Sequence, residues 1–124
     1  APAPRQLRRT AALQVLMRQL SPSQLHAQSA ALAPLLLDVR EDWELALAAI
    51  RIEGAELLHL PMGQIVQRLS ALPTTVPIVC VCHHGVRTQQ VAAYLERQGF
   101  EQVFNLSGGI DAWSCQVDPS VARY

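Results

Sequence analysis

Pro77-Ile78-Val79-Cys80-Val81-Cys82-His83-His84-Gly85-Val86-Arg87 is a short, β-branched apolar run that passes without a spacer into a glycine-containing loop. Pro77 opens the run and no polar residue alternates within it, as expected of a parallel strand covered on both faces. After Gly85 the period changes: Val91, Tyr94 and Leu95 recur at helical spacing, and Gly99 follows as a C′ residue. A strand, a tight loop and a helix therefore adjoin, with Cys82 as the last strand residue. Reactive crevices of open α/β sheets lie at the carboxyl ends of strands, so the thiol is expected to be presented to solvent there.

A loop of this kind, running into a helix N-terminus, can bring several backbone N–H groups to one point beside the positive end of the helix dipole. Such a nest favours an anion. It favours the thiolate nucleophile first, and then whatever anion is attached to sulfur afterwards. Gly85 suits the arc because backbone must approach closely and one position needs a positive φ. Arg87 and the imidazoles of His83 and His84 add donors able to steer an anionic molecule inwards.

Outward from this segment, Leu35-Leu36-Leu37-Asp38-Val39 repeats the buried-strand pattern, and Glu41-Asp42-Trp43-Glu44 places acidic groups in the first turn of a helix. Gly54 marks a turn, Leu57, Leu58 and Leu60 a brief strand stopped by Pro61, and Ile65, Val66 and Leu69 a following helix. Upstream, Ser21 with Pro22 signals a helix start, running through Leu25 to about Ala30, with a first strand ending just before it. Downstream, Val103-Phe104 form a last strand, and Gly108-Gly109 open a closing segment with Ile110 and Trp113. This alternation predicts an α/β fold, a small parallel sheet of about five strands with helices on both faces. Residues 1–14, rich in Ala, Pro and Arg at their start, are expected to be a loosely ordered leader and 15–124 the domain; Leu13, Val15, Leu16 and Met17 are the first apolar patch.

The 124 residues, half of them hydrophobic, suit one domain with an ordinary core. Net charge is zero, and the basic residues are spread out apart from Arg5, Arg8 and Arg9, which argues against nucleic acid as a partner. All ten basic residues are arginine, so Schiff-base and P-loop chemistry have no lysine to use. The cysteines Cys80, Cys82 and Cys115 are odd in number and two are too close for an ordinary disulfide, which points to reduced thiols and a cytoplasmic setting. No apolar run approaches the roughly 20 residues that span a bilayer, so no membrane association is expected. The opening Ala1-Pro2-Ala3-Pro4 fits Met removal and a trimmed exported precursor alike.

Cys80, Cys82, His83 and His84 lack the two separated pairs of a zinc site, so no metal is expected. Cys80 and Cys115 are read as core or surface thiols, His26 and His59 as ordinary residues, and Trp43 and Trp113 as core and lid packing. Asp38 and Arg40 have two readings of equal weight: an ion pair shaping the strand end, or lining of the pocket.

In order along the chain, four segments resemble the rhodanese (thiosulfate sulfurtransferase) family. Leu36-Leu37-Asp38-Val39-Arg40-Glu41 with Trp43 is similar to its strand and acidic turn, and Gly54-Ala55 before Leu60-Pro61 to its glycine–alanine and apolar–proline segment. Cys82-His83-His84-Gly85-Val86-Arg87-Thr88 resembles its active loop, and Leu106-Ser107-Gly108-Gly109-Ile110-Asp111-Ala112-Trp113 its closing signature. The resemblance covers about residues 15 to 124 and departs from the family at His83, where many members have a cationic residue. It implies a sulfurtransferase without metal or organic cofactor, in which Cys82 takes sulfane sulfur from thiosulfate or a persulfide donor, carries it as a persulfide, and passes it to cyanide, a thiol or a protein acceptor. Backbone and side chains of His83, His84, Gly85, Val86, Arg87 and Thr88 would hold the sulfur group. The alternatives are a sulfur-relay or binding module with little thiosulfate turnover and, more remotely, a phosphatase or arsenate reductase. That last branch has five residues between cysteine and arginine, a wider ring than the four between Cys82 and Arg87.

Overall fold

The computed structural model describes residues 18–124; the expected leader and the apolar patch Leu13 to Met17 lie outside the described residues. Five strands, β1 (Gln19–Leu20), β2 (Leu35–Asp38), β3 (Glu56–His59), β4 (Ile78–Val81) and β5 (Val103–Leu106), form one sheet in the order β1-β5-β4-β2-β3. Every pairing is parallel. Among the described residues, four α-helices accompany the sheet: α1 (Pro22–Leu32), α2 (Asp42–Leu47), α3 (Arg87–Arg97) and α4 (Gly109–Gln116).

The unbroken apolar runs follow from cover on both sheet faces, since successive strand residues point to opposite sides. Leu35, Leu37, Val39, Ile78, Cys80, Cys82 and Val103 pack with Val91, Ala92 and Leu95 of α3. Leu36, Val79, Val81 and Leu106 pack on the other side with Leu25 of α1 and Ile110 and Trp113 of α4. β4 is thus the middle strand, with its carboxyl end between β2 and β5.

Helix α1 begins as its sequence signals, with the Ser21 side chain accepting from the Gln24 N–H at 3.1 Å and the Gln24 side chain accepting from the Ser21 N–H at 2.9 Å. This capping box satisfies two N–H groups that no helical carbonyl can reach. The helix runs to Leu32 and stops at Ala33, which adopts a left-handed φ of 46° before Pro34.

The helix expected through Ile65, Val66 and Leu69 does not form. Two 3₁₀ turns stand there instead, Met62–Gln64 and Leu69–Ala71. Ile65 and Leu72 are buried while Val66 is 67% exposed, so only part of the expected apolar set packs on the core. Gly63 near the start and Pro73 just after the end further disfavour a continuous helix.

Candidate functional site

Strand β4 ends at Val81, one residue earlier than expected, and Cys82 begins the loop that leads into α3. Cys82 is not presented to solvent: it is 1% exposed and its side chain belongs to the cluster beneath α3. The apolar cover of α3 reaches the strand end, which strand position alone does not reveal. The Gly85 N–H donates to Cys82 Sγ at 3.1 Å, and Thr88 Oγ1 lies 3.5 Å from the same sulfur. Cys80, two residues earlier on the same face, is fully buried, and burial pushes its thiol well above the ordinary range. Cys115 is exposed.

The loop keeps its shape through neighbours on both sides. Gly85 has a φ of +87°, and a Cβ there would sit 3.0 Å from the Gly108 nitrogen and 3.1 Å from the Leu106 carbonyl oxygen. Gly108 and Gly109 also have positive φ, and a Cβ on Gly109 would collide with the carbonyls of Cys82 and His83. That close approach lets the uncapped start of α4 use the loop as its cap. The Ile110 N–H donates to Cys82 O at 2.9 Å and the Asp111 N–H to His83 O at 3.1 Å. Peptide planarity then turns the N–H groups of His83 and His84 away from α4.

Asn105, buried in β5, fastens the loop from the opposite flank. Its Nδ2 donates to Gly85 O and to Gln19 Oε1, each at 3.0 Å, and its Oδ1 accepts from the Thr88 hydroxyl.

The Arg87 guanidinium makes a bidentate pair with Glu44 of α2 at 2.7 and 2.8 Å, a link between α3 and α2. A carboxylate that sequence reasoning treated only as a helix-start charge has the matching fork geometry. Four donors converge on Glu44, the Arg87 pair with the Glu41 N–H and the Tyr124 hydroxyl, and hold its carboxyl down at about 2, the Arg87 hydrogen bonds foremost.

Asp38 and Arg40 are both fully buried and paired with each other. Arg40 Nε lies 2.9 and 3.1 Å from the two Asp38 oxygens, and Nη2 donates to Asp38 at 2.8 Å and to the Ala48 carbonyl at 2.6 Å. Nη1 donates to the Glu44 carbonyl and to Tyr124 Oη at 3.2 and 2.8 Å. These donors are spent on protein groups that tie the end of β2 to α2, in the manner of an ion pair shaping the strand end.

Tyr124 stacks on His83 at 3.9 Å, and His83 on His84 at 3.8 Å. Burial and the neighbouring His84 push the His83 imidazole below its usual range, favouring the neutral ring. Trp43, expected in packing, is 62% exposed and meets Tyr124 edge-on, while Val86 in the loop is 70% exposed. Trp113 is buried in the core. Among the described residues, the ligand-type atoms that gather within 4.8 Å belong to His83, His84 and Asp111, not to the Cys80–His84 run, and Asp111 is engaged by Arg123 at 2.9 and 3.3 Å.

Sequence reasoning missed Glu44, Tyr124 and Asn105. Asn105 left a signal, a lone polar residue between Phe104 and Leu106 in an apolar strand; Tyr124 left none, because only the tertiary structure brings it over the loop.

The model of the rhodanese-like domain family matches residues 21–116. The chain belongs to the rhodanese-like domain family. This rhodanese-like chain is 41% identical over 88 residues to a sulfurtransferase of Allochromatium vinosum, covering 71% of this chain and 78% of that one. It is 33% identical over 78 residues to a thiosulfate sulfurtransferase of Vibrio cholerae, covering 63% of this chain and 70% of that one. A rhodanese-like domain protein from Staphylococcus aureus superposes with a TM-score of 0.68 at 29% identity, covering 87% of this chain and 99% of that one. The α/β fold with its five-stranded parallel sheet is therefore that of the rhodanese-like family, and its sulfurtransferase relatives support a sulfur-transfer function. Among the described residues no helix is long and apolar enough to cross a membrane.

Proposed function

We propose that this protein is a sulfurtransferase in which Cys82 carries sulfane sulfur as a persulfide. The observation that carries the proposal is the Gly85 N–H donating to Cys82 Sγ at 3.1 Å, at the carboxyl end of the middle strand of a rhodanese-like sheet. An oriented peptide donor suits an anionic sulfur, and Thr88 Oγ1 at 3.5 Å is within reach of the same atom.

In the reaction the Cys82 thiolate attacks the outer sulfur of thiosulfate. A sulfur–sulfur bond forms, and the bond to the sulfonate breaks as sulfite leaves with its electron pair. Cyanide or a thiolate then attacks the terminal sulfur of the persulfide, and Cys82 is released as thiolate. No outside oxidant or reductant enters, and no metal or organic cofactor is required.

A sulfur relay from a protein partner is favoured by one observation, a buried sulfur in a loop whose Val86 side chain is exposed. The two are separated by assay. Thiocyanate formed from thiosulfate and cyanide, lost in Cys82→Ser and retained in Cys115→Ser, is the result expected of the enzyme. Equal rates in wild type and Cys82→Ser contradict it, and sulfur loading only from a persulfidated protein favours the relay.

A further inference from the structure

Asn105 is 1% exposed, and its hydrogen bonds to Gly85 and Thr88 each have a consequence for the sulfur. Gly85 O can only accept, so Asn105 must face it with Nδ2, and Oδ1 is left facing the Thr88 hydroxyl. A hydroxyl has a single proton. While Thr88 gives it to Asn105, Thr88 offers Cys82 Sγ only a lone pair, which suits a thiol S–H and opposes a negative sulfur. The carbonyl that Asn105 holds belongs to Gly85, whose N–H donates to that sulfur. One buried amide thus grips both residues that hydrogen-bond to Cys82 Sγ.

We propose that Asn105 is a positioning residue for Cys82, which sets the protonation state of the thiol by holding the Thr88 hydroxyl proton. This rests on the reading of Cys82 as the sulfur carrier and adds the device that controls when it is a nucleophile. On ionisation the thiol proton leaves to solvent and the Thr88 O–H turns from Asn105 Oδ1 to the sulfur. Asn105 Oδ1 then loses its partner in a place closed to water, which opposes ionisation. Asn105 and the negative sulfur compete for one proton.

The test is the pH dependence of Cys82 alkylation by iodoacetamide, read by mass on the peptide that contains Cys82. Asn105→Ala is expected to lower the midpoint of reactivity by about one pH unit, a tenfold gain in thiolate below the midpoint. Thr88→Ser keeps the wild-type value, and in the Thr88→Val background, where no hydroxyl proton is left to hold, Asn105→Ala moves the midpoint no further. A purely structural role for Asn105, through its hold on the Gly85 carbonyl, loosens the Gly85 N–H from the sulfur and raises the midpoint instead. An unmoved or raised midpoint in Asn105→Ala overturns the proposal, as does a shift that survives in the Thr88→Val background. If Asn105→Ala does not fold, identical midpoints in Thr88→Val and Thr88→Ser overturn it. Alkylation needs no sulfur donor, so failure of wild type to accept sulfur counts against the function proposed above and leaves this result standing.

Discussion

At the scale of single residues, Gly85 and Cys82 constrain each other. The sulfur accepts the Gly85 N–H only because that residue adopts a φ of +87°, in a space where a Cβ would press on the Gly108 nitrogen at 3.0 Å. A methyl group there meets backbone, which cannot rotate away as a side chain can. Gly85→Ala is expected to lower the unfolding free energy by about 1–3 kcal/mol and to reduce sulfur loading of Cys82, as checked by urea denaturation and peptide mass. Unchanged values for both would show that the loop has another way to close. The positive φ at this glycine was legible in the sequence, because a strand that turns at once into a helix needs such a residue. The burial of Cys82 was not, because what covers it comes from α3 and the core beneath.

Between elements, the site is held by connections of different sequence visibility. Gly108-Gly109 was legible only as the opening of the closing segment, and the structure adds what it does: the start of α4 donates to the Cys82 and His83 carbonyls. The Arg87–Glu44 pair, by contrast, joins residues 43 positions apart. Each charge had an adequate local explanation, Glu44 at a helix start and Arg87 beside the anion loop, so nothing local named the partner. Coupling across this pair is expected to be about 0.5–3 kcal/mol in a double-mutant cycle of Glu44→Gln and Arg87→Ala, measured by chemical denaturation. Additive effects would show that α2 and α3 are held together by packing alone. The helix expected over Ile65 to Leu69 failed for a related reason: its apolar residues were real, but tertiary packing used Ile65 and Leu72 and left Val66 outside.

For the whole molecule, the central parallel strands β2 and β4, buried on both faces, explain why fold class was the most legible property: they had to be almost wholly apolar, and the turns between had to be punctuated. Buried carboxyls set how stability responds to pH. Glu96 on α3 has both oxygens shielded from water and unpartnered among the described residues, and burial raises its carboxyl from 4.5 to about 7. The folded state therefore binds the proton more tightly than the unfolded state. This contribution is complete below about 4.5 and is lost as pH rises through about 7. Glu44 acts in the opposite sense, since its folded value of about 2 lies below 4.5, and its contribution is present above 4.5 and lost on acidification toward 2. Thermal melts of Glu96→Gln are expected to lose the part of the decline that wild type shows between pH 4.5 and about 7. Parallel curves for the two proteins would remove Glu96 from the account.

The most direct test of the central claim is the mass of the Cys82 peptide after the protein meets a sulfur donor, with thiosulfate in one sample and a low-molecular-weight persulfide in another. One added sulfur atom on that peptide, released by a thiol reductant and missing from Cys82→Ser, is the expected result. No addition from either donor, or addition confined to the Cys115 peptide, would contradict the assignment of Cys82 as the sulfur carrier.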